Sequence, residues 1–217
     1  MTAPAFNVRS ARSAELAAVT ELCLAAFADE AVTAWVVPDP AHRPEHLRRT
    51  FGESLATVVA DGGMTLALTP EGEPVAASVW LSCASGERAT GPEGPAVQDE
   101  DPVARRLAVV DAATGSRHPT VAHLHLSAMA VLPHQRGRGA GAAVLAAGLE
   151  RARARRLPVY LEASTPDNRR LYERHGFRHL GDPISLPEGG PSLQPMWCDT
   201  SPDASRAHDV HNVPRPP

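Results

Sequence analysis

Apolar positions along the chain change period several times, and each change marks an element. Residues 6–9 alternate and read as a short first strand. Leu16, Val19, Leu22, Cys23 and Phe27 then recur at helical spacing, behind a helix start at Ser10 or Ser13. The periodicity breaks across residues 28–40, which hold Asp29, Glu30 and Trp35 and end in two prolines; a second helix is expected over 44–60. Two apolar runs, 64–69 and 75–83, flank Pro70-Glu-Gly-Glu-Pro74 and read as a hairpin. Trp80, on the second run, belongs either to the core or to an aromatic wall facing a substrate. Residues 84–119 open with Gly, Pro and acidic residues, then carry a weak helical stripe of Val103, Leu107 and Val110. This reads as an insertion between strands 3 and 4, where specificity is often housed.

Residues 121–131 are the fourth strand. Ala122, Leu124, Leu126, Ala128 and Ala130 hold its even positions, and His123, His125 and Ser127 fall on odd ones. Strand alternation puts both histidines and the serine on one face, opposite the core, and an irregularity near Met129 would change that parity downstream. A helix over 139–156 follows, with Val144, Leu145 and Leu149 inward and Arg151, Arg153, Arg155 and Arg156 as a solvated, dipole-complementing end. Residues 158–164 are a fifth strand, a short helix runs from Pro166 to Gly176, and 177–186 and 193–199 supply the last strands. Strand, helix and strand in succession predict a parallel pair with a ligand at its carboxyl end. The chain thus divides into one domain over 5–199 and a disordered tail over 200–217, His208 and His211 included.

The join between that fourth strand and its helix, residues 131–143, reads Val-Leu-Pro-His-Gln-Arg-Gly-Arg-Gly-Ala-Gly-Ala-Ala. Amides at a helix N-terminus lack partners within the helix and carry the positive end of its dipole, so a turn without side chains offers them to an anion. Gly137, Gly139 and Gly141 leave that approach open, and Arg136 and Arg138 add positive charge suited to a pyrophosphate. A P-loop is excluded because no Gly-Lys-Ser/Thr ending is present, and a dinucleotide fingerprint would need a glycine at Val144.

Composition narrows the class. The 217 residues are 43% hydrophobic and 21% charged, as expected of a globular domain, and the net charge of −4 argues against a nucleic-acid partner. All 21 basic residues are arginine. Cys23, Cys83 and Cys198 are odd in number and far apart, so neither a disulfide framework nor a metal site is expected. With no signal-like apolar run at 1–12 and no membrane-length run elsewhere, a cytoplasmic chain without membrane association is expected.

The pattern Arg136-x-x-Gly139-x-Gly141 after a strand ending Met-Ala-Val-x-Pro133 resembles the acetyl-CoA-binding motif of the GCN5-related N-acetyltransferase (GNAT) superfamily. Leu161-Glu-Ala-Ser164, Asn168 and Leu171-Tyr-Glu-Arg-His-Gly-Phe177 follow in that superfamily's order. Ala25-Ala-Phe-Ala-Asp29 and Leu186-Pro-Glu-Gly-Gly190 add a weaker similarity to the branch containing puromycin N-acetyltransferase. His125 departs from that branch, and a histidine pair on this strand is similar to the arylalkylamine N-acetyltransferases. The resemblance implies an α/β fold with a mixed sheet of six to seven strands flanked by helices. It also implies that Met129, Ala130 and Val131 pair with the pantetheine arm of acetyl-CoA through their backbones, that residues 137–142, Ala140 and Ala142 among them, hold the pyrophosphate, that Asn168 anchors the pantetheine, and that Tyr172 lies beside the thioester sulfur.

Amide formation requires that an ammonium ion lose a proton before nitrogen attacks the thioester. His125 titrates in the useful range, with His123, Ser127 and Glu162 as relays, and Glu162 alternatively holds the ammonium group. Tyr172 is the candidate donor to the departing thiolate. Asp29, Glu30, Trp35, Trp80, His123 and Ser127 are the candidate acceptor-facing residues. The function expected is acetylation of a primary amine on a small molecule, antibiotics and toxins included, by a monomer or homodimer without a metal. Acetylation of a protein N-terminus or lysine, and acyl-CoA sensing without turnover, are the competing readings.

Overall fold

The computed structural model describes residues 6–86 and 101–200; the remainder of the expected insertion, at 87–100, and the tail from 201 lie outside them. The alternating start is β1 (Asn7–Ser10). Next come α1 (Leu16–Phe27), a short α2 (Ala31–Val36) and α3 (Arg43–Ala60). The hairpin is β2 (Met64–Leu68) and β3 (Pro74–Cys83), the insertion contributes α4 (Pro102–Gly115), and β4 spans His123–Val131. Then follow α5 (Ala140–Arg155), β5 (Val159–Ala163), α6 (Pro166–Arg174), β6 (Arg178–His179), β7 (Ile184–Ser185) and β8 (Ser192–Cys198). Strand order is β1-β2-β3-β4-β5-β8-β6, with β7 on β8, and β4–β5 is the parallel pair in an otherwise antiparallel sheet. The sheet has eight strands, more than expected, because Gly181, in the left-handed region at φ 73°, and Pro183 split the stretch 177–186 into two short pieces.

Helices cover both faces. On one, Val19, Leu22 and Cys23 of α1 and Leu55 and Val59 of α3 pack on Leu66, Ala77 and Val79. On the other, Leu145 and Leu149 of α5 and Tyr172 of α6 pack on Trp80, Leu124, Leu126 and Leu161. Trp80 is a core residue here: its indole N–H donates to Ser78 Oγ at 2.8 Å, and it lies against Gly148, where an added Cβ would come within 1.9 Å of the ring.

Two expectations about polar residues change. The start of α1 uses neither Ser10 nor Ser13 as its cap. A 3-10 turn at Ser13–Glu15 precedes it, and the Glu15 carboxylate accepts from the Arg12 amide at 2.9 Å and from Arg9 at 2.5 Å. A carboxylate bound to guanidinium and amide together outcompetes a neutral hydroxyl. Those bonds, Arg9 first, hold the Glu15 carboxyl well below the ordinary range. Arg151 is not solvated either. It donates to the Gly62 carbonyl at 2.8 Å and Thr65 Oγ1 at 3.1 Å with its guanidinium over Trp80, tying α5 to the start of β2. Arg153 does stay outward, paired with Glu150.

Candidate active site

β4 carries an irregularity, two residues upstream of Met129. Val79 pairs with Ala128 but Trp80 pairs with Leu126, so Ser127 is an extra residue on β4. Upstream, Leu124 and Leu126 face α5, so His123 and His125 lie on the opposite face, as alternation predicted. Downstream the parity is reversed, and Ala128 and Ala130 pack on the α1 and α3 side. The parallel pairing of β4 with β5 consists of Leu124 with Val159 and His125 with Tyr160. Residues 126–131 and 161–163 then run on without pairing to one another, leaving a wedge whose β4 edge has, among the described residues, no strand partner on the β5 side.

The glycine turn closes the outer end of this wedge. Gly137 and Gly139 adopt φ of 75° and 92°, and an added Cβ at either would stand in open space. Both positions therefore need glycine for conformation and leave the amides approachable. Gly139 is the N-cap of α5 and, among the described residues, receives no side-chain capping bond; Ala143 donates the first helical bond, to the Gly139 carbonyl at 3.0 Å. The amides of Ala140, Gly141 and Ala142 thus remain for an anion. Gly141 has a different reason for being small: its Cβ would lie 3.3 Å from Val131 Cγ2. These features fit a pyrophosphate. Arg138 is exposed at the turn, whereas Arg136 donates to the Ala26 carbonyl at 3.1 Å, bracing the turn on the end of α1.

At the apex of the wedge, His125 Nε2 donates to Glu162 Oε2 at 3.0 Å, their side chains 13% and 12% exposed. Burial acts to raise the Glu162 carboxyl, but the hydrogen bond and charge of His125, with His118 nearby, bring it below its ordinary value. His125 Nδ1 is buried without a partner. The pair lies on the sheet face opposite Leu126 and Leu161, while Tyr172 lies on the same side as those leucines, its ring 5.6 Å from Phe177. Burial raises the Tyr172 phenol, so it keeps its proton. The two expected proton-handling groups therefore flank the wedge from opposite sides of the sheet.

The remaining candidates separate into different surroundings. His123 is fully buried with Nδ1 donating to the Val121 carbonyl at 2.7 Å, and Ser127 is exposed on its bulge. Asn168 sits in the first turn of α6, whose start is capped by Thr165 at 3.1 Å. Asp29 is 94% exposed and pairs with Arg43 at 3.1 Å. Glu30 caps α2 by accepting from Val32 at 2.8 Å and Thr33 at 3.1 Å. Trp35 is half-buried beneath Arg106 of the insertion, whose guanidinium lies 5.3 Å from its ring.

His118 and Tyr160 escape the sequence reading. His118, at the end of the insertion, lies 4.8 Å from the His123 ring, 5.1 Å from His125 and 5.0 Å from Tyr160. Alternation on β5 pairs Tyr160 with Glu162 on one face, a signal legible once the strand is placed. Nothing local marks His118. Burial lowers the basicity of both His118 and His123, the former to about 4.

Sheet, wedge and turn together make this a GNAT fold. A model of the Acetyltransferase (GNAT) family matches residues 86–177, which include the insertion helix, the glycine turn and Tyr172. Mycothiol acetyltransferase of Acidothermus cellulolyticus is 35% identical over 80 residues, 36% of this chain; the match spans 24% of that relative's length. Histone acetyltransferase HPA2 and related acetyltransferase from Corynebacterium glutamicum superposes with a TM-score of 0.64 at 24% identity, over 88% of this chain and 94% of that one. The Drosophila melanogaster polyamine N-acetyltransferase, which forms N-acetylagmatine, gives 0.62 at 22% identity, over 90% and 100%. The structural neighbours share this fold over most of the chain, and the family match covers the stretch that carries the insertion helix, the glycine turn and Tyr172. No helix among the described residues is long and apolar enough to cross a membrane.

Proposed function

We propose that the chain is an acetyl-CoA-dependent N-acetyltransferase acting on a primary amine of a small molecule. The observation that carries this reading is the wedge between β4 and β5, with the glycine turn at its outer end and His125–Glu162 at its apex. Bound there, acetyl-CoA supplies an activated thioester. The amides of Ala140, Gly141 and Ala142 hold the pyrophosphate, and the unpaired β4 edge at Met129, Ala130 and Val131 holds the extended arm as an added strand would be held. Tyr172, protonated and beside the wedge, donates toward the leaving sulfur.

The acceptor enters from the opposite face. Glu162 attracts its ammonium group, and the His125–Glu162 pair takes the proton that must leave before nitrogen attacks, the imidazole and carboxylate sharing the charge through their 3.0 Å bond. Positioning amine and thioester together contributes about 7–11 kcal/mol. An acid or base contributes roughly 10²–10⁴-fold, about 3–5 kcal/mol. The scaffold, more than the proton relay, therefore accounts for most of the acceleration.

The acceptor's class rests on the acidic apex and on the amine acetylated by the polyamine enzyme of the same fold. The experiment is release of free thiol from acetyl-CoA with agmatine, polyamines, arylalkylamines, puromycin and short peptides. Turnover with a small amine supports the reading, and puromycin turnover would place the chain in that enzyme's branch. Turnover confined to peptides would transfer the reading to protein acetylation.

A further inference from the structure

Behind the His125–Glu162 pair, the strand register puts Cys83, at the end of β3, directly across from His123, at the start of β4. His118 returns from the insertion to stack on His123 at 4.8 Å. Cys83 Sγ and one ring nitrogen from each histidine all lie within 4.8 Å of one another, and the three residues are 7%, 6% and 0% exposed in chain order. Both imidazoles use Nδ1 on a backbone carbonyl, His118 on Pro119 at 3.2 Å and His123 on Val121 at 2.7 Å. Both leave Nε2 buried with no hydrogen-bond partner among the described residues.

An unpartnered ring nitrogen in the interior is left with an uncompensated desolvation cost, and two side by side repeat it. Nothing in packing alone requires them to be histidines. A bound cation does: a metal-ligating histidine characteristically donates its other ring N–H to a carbonyl, which fixes the tautomer and turns the remaining lone pair inward. Neutral imidazole is the ligating form. Sulfur and nitrogen donors select zinc or a similarly soft cation over magnesium or calcium.

We propose that Cys83, His118 and His123 form a zinc site that fastens the C-terminal end of the insertion to the sheet beside the His125–Glu162 pair. Tetrahedral coordination at bond lengths of about 2.0–2.3 Å needs donors about 3.3–3.7 Å apart. Side-chain adjustments of about an ångström bring the three donors to that spacing. Binding displaces the thiol proton, so the ion's charge of two is partly offset by the thiolate. The site leaves His125 and Glu162 uncoordinated, so it stands independently of the acetyl-transfer reading.

The test uses the full chain, stripped with a chelator and titrated with Co²⁺. The expected result is saturation at one equivalent, with tetrahedral visible absorption and a thiolate-to-cobalt charge-transfer band, both bleached by Zn²⁺. Cys83→Ser loses the charge-transfer band, and His118→Gln weakens Co²⁺ binding by at least about tenfold, whereas Cys198→Ser, a buried cysteine elsewhere, keeps both signals. Zn²⁺ raises the melting temperature of the wild type but not of Cys83→Ser. No saturable binding by the wild type, or a charge-transfer band that survives Cys83→Ser, overturns the site. The wild-type titration decides on its own should either variant fail to fold.

Discussion

The two halves of β4 do different work with the same backbone. Upstream of Ser127 the strand is paired on both sides, and what it contributes is side chains: His123 into a buried imidazole cluster and His125 onto Glu162. Downstream it is paired on the β3 side alone, its side chains are ordinary packing residues, and what it contributes is unpaired backbone leading into a turn of glycines. One inserted residue separates the halves by reversing parity. A strand of uniform register would carry the histidine face into the cofactor half. On the proposed function, the bulge lets one element present side-chain chemistry to the acceptor and backbone to acetyl-CoA.

The largest expected effect breaks the upstream half. His125→Ala and Glu162→Gln should each lower kcat/KM by about 10²–10⁴-fold in a thiol-release assay while leaving acetyl-CoA affinity unchanged in calorimetry. Glu162 also makes a prediction in pH. Its folded carboxyl lies below the ordinary 4.5, so the stability it contributes is present in full above that value and is lost as pH falls through the folded one. Denaturant titrations should show the gap between wild type and Glu162→Gln widest above pH 4.5 and closing in acid. A gap that instead opened in acid would mean that burial of Glu162, not its bond to His125, dominates.

The downstream half should fail in the opposite way. Gly139→Val forces a branched residue to φ 92° and sets a side chain over the amides of α5. Losing two charge-assisted amide bonds costs about 3 kcal/mol or more, so acetyl-CoA affinity should drop at least about 100-fold. His125–Glu162 should remain intact, readable as unchanged His125 ring signals by NMR. Gly139→Val that bound acetyl-CoA normally would remove the turn from the cofactor site.

The same contrast explains what the sequence could show. Backbone chemistry is written in spacing, since glycines at 137, 139 and 141 after a strand define the turn wherever it folds, and the parallel β4–β5 pair follows from strand, helix and strand. Side-chain chemistry depends on which distant residues meet. Alternation found His123 and His125 on one face, yet His118 arrives from an insertion with no period of its own, and Cys83 meets it through strand register across that insertion. Acidic residues show the same limit: Glu30 and Asp29 advertise charge, and the structure adds that Glu30 caps α2 and Asp29 pairs with Arg43, contacts that no local pattern announces.

Between the halves stands Tyr172, with an intermediate effect. Its phenol is pushed above the ordinary range, so complete proton transfer to a thiolate runs uphill, and the proposed function gives it a hydrogen bond to the departing sulfur. Such a bond to a developing charge is worth about 1.5–3 kcal/mol, so Tyr172→Phe should slow turnover by roughly 10–100-fold and not abolish it. Single-turnover rates check this. An unchanged rate removes the tyrosine from the chemistry, and loss beyond about 10⁴-fold would make it the obligatory acid.

The smallest effect tests whether the two halves share a mechanical frame. Trp80 pairs across from Leu126 at the bulge, and its ring fills the space above Gly148 of α5, where a Cβ would overlap it at 1.9 Å. Gly148→Ala removes the helix cost of a glycine, worth about 1 kcal/mol in the protein's favour, but cannot be accommodated without moving the indole or the helix. The overpacking cost of about 1–3 kcal/mol should win, lowering the denaturation midpoint at constant slope. Because α5 supplies the amides at Ala140, Gly141 and Ala142, a helix that yields should also weaken acetyl-CoA binding while kcat at saturation persists. If the indole yields instead, breaking its 2.8 Å bond to Ser78, the strain reaches β3 beside the bulge and kcat falls while affinity holds. The parameter that moves thus identifies which half of β4 the core packing supports.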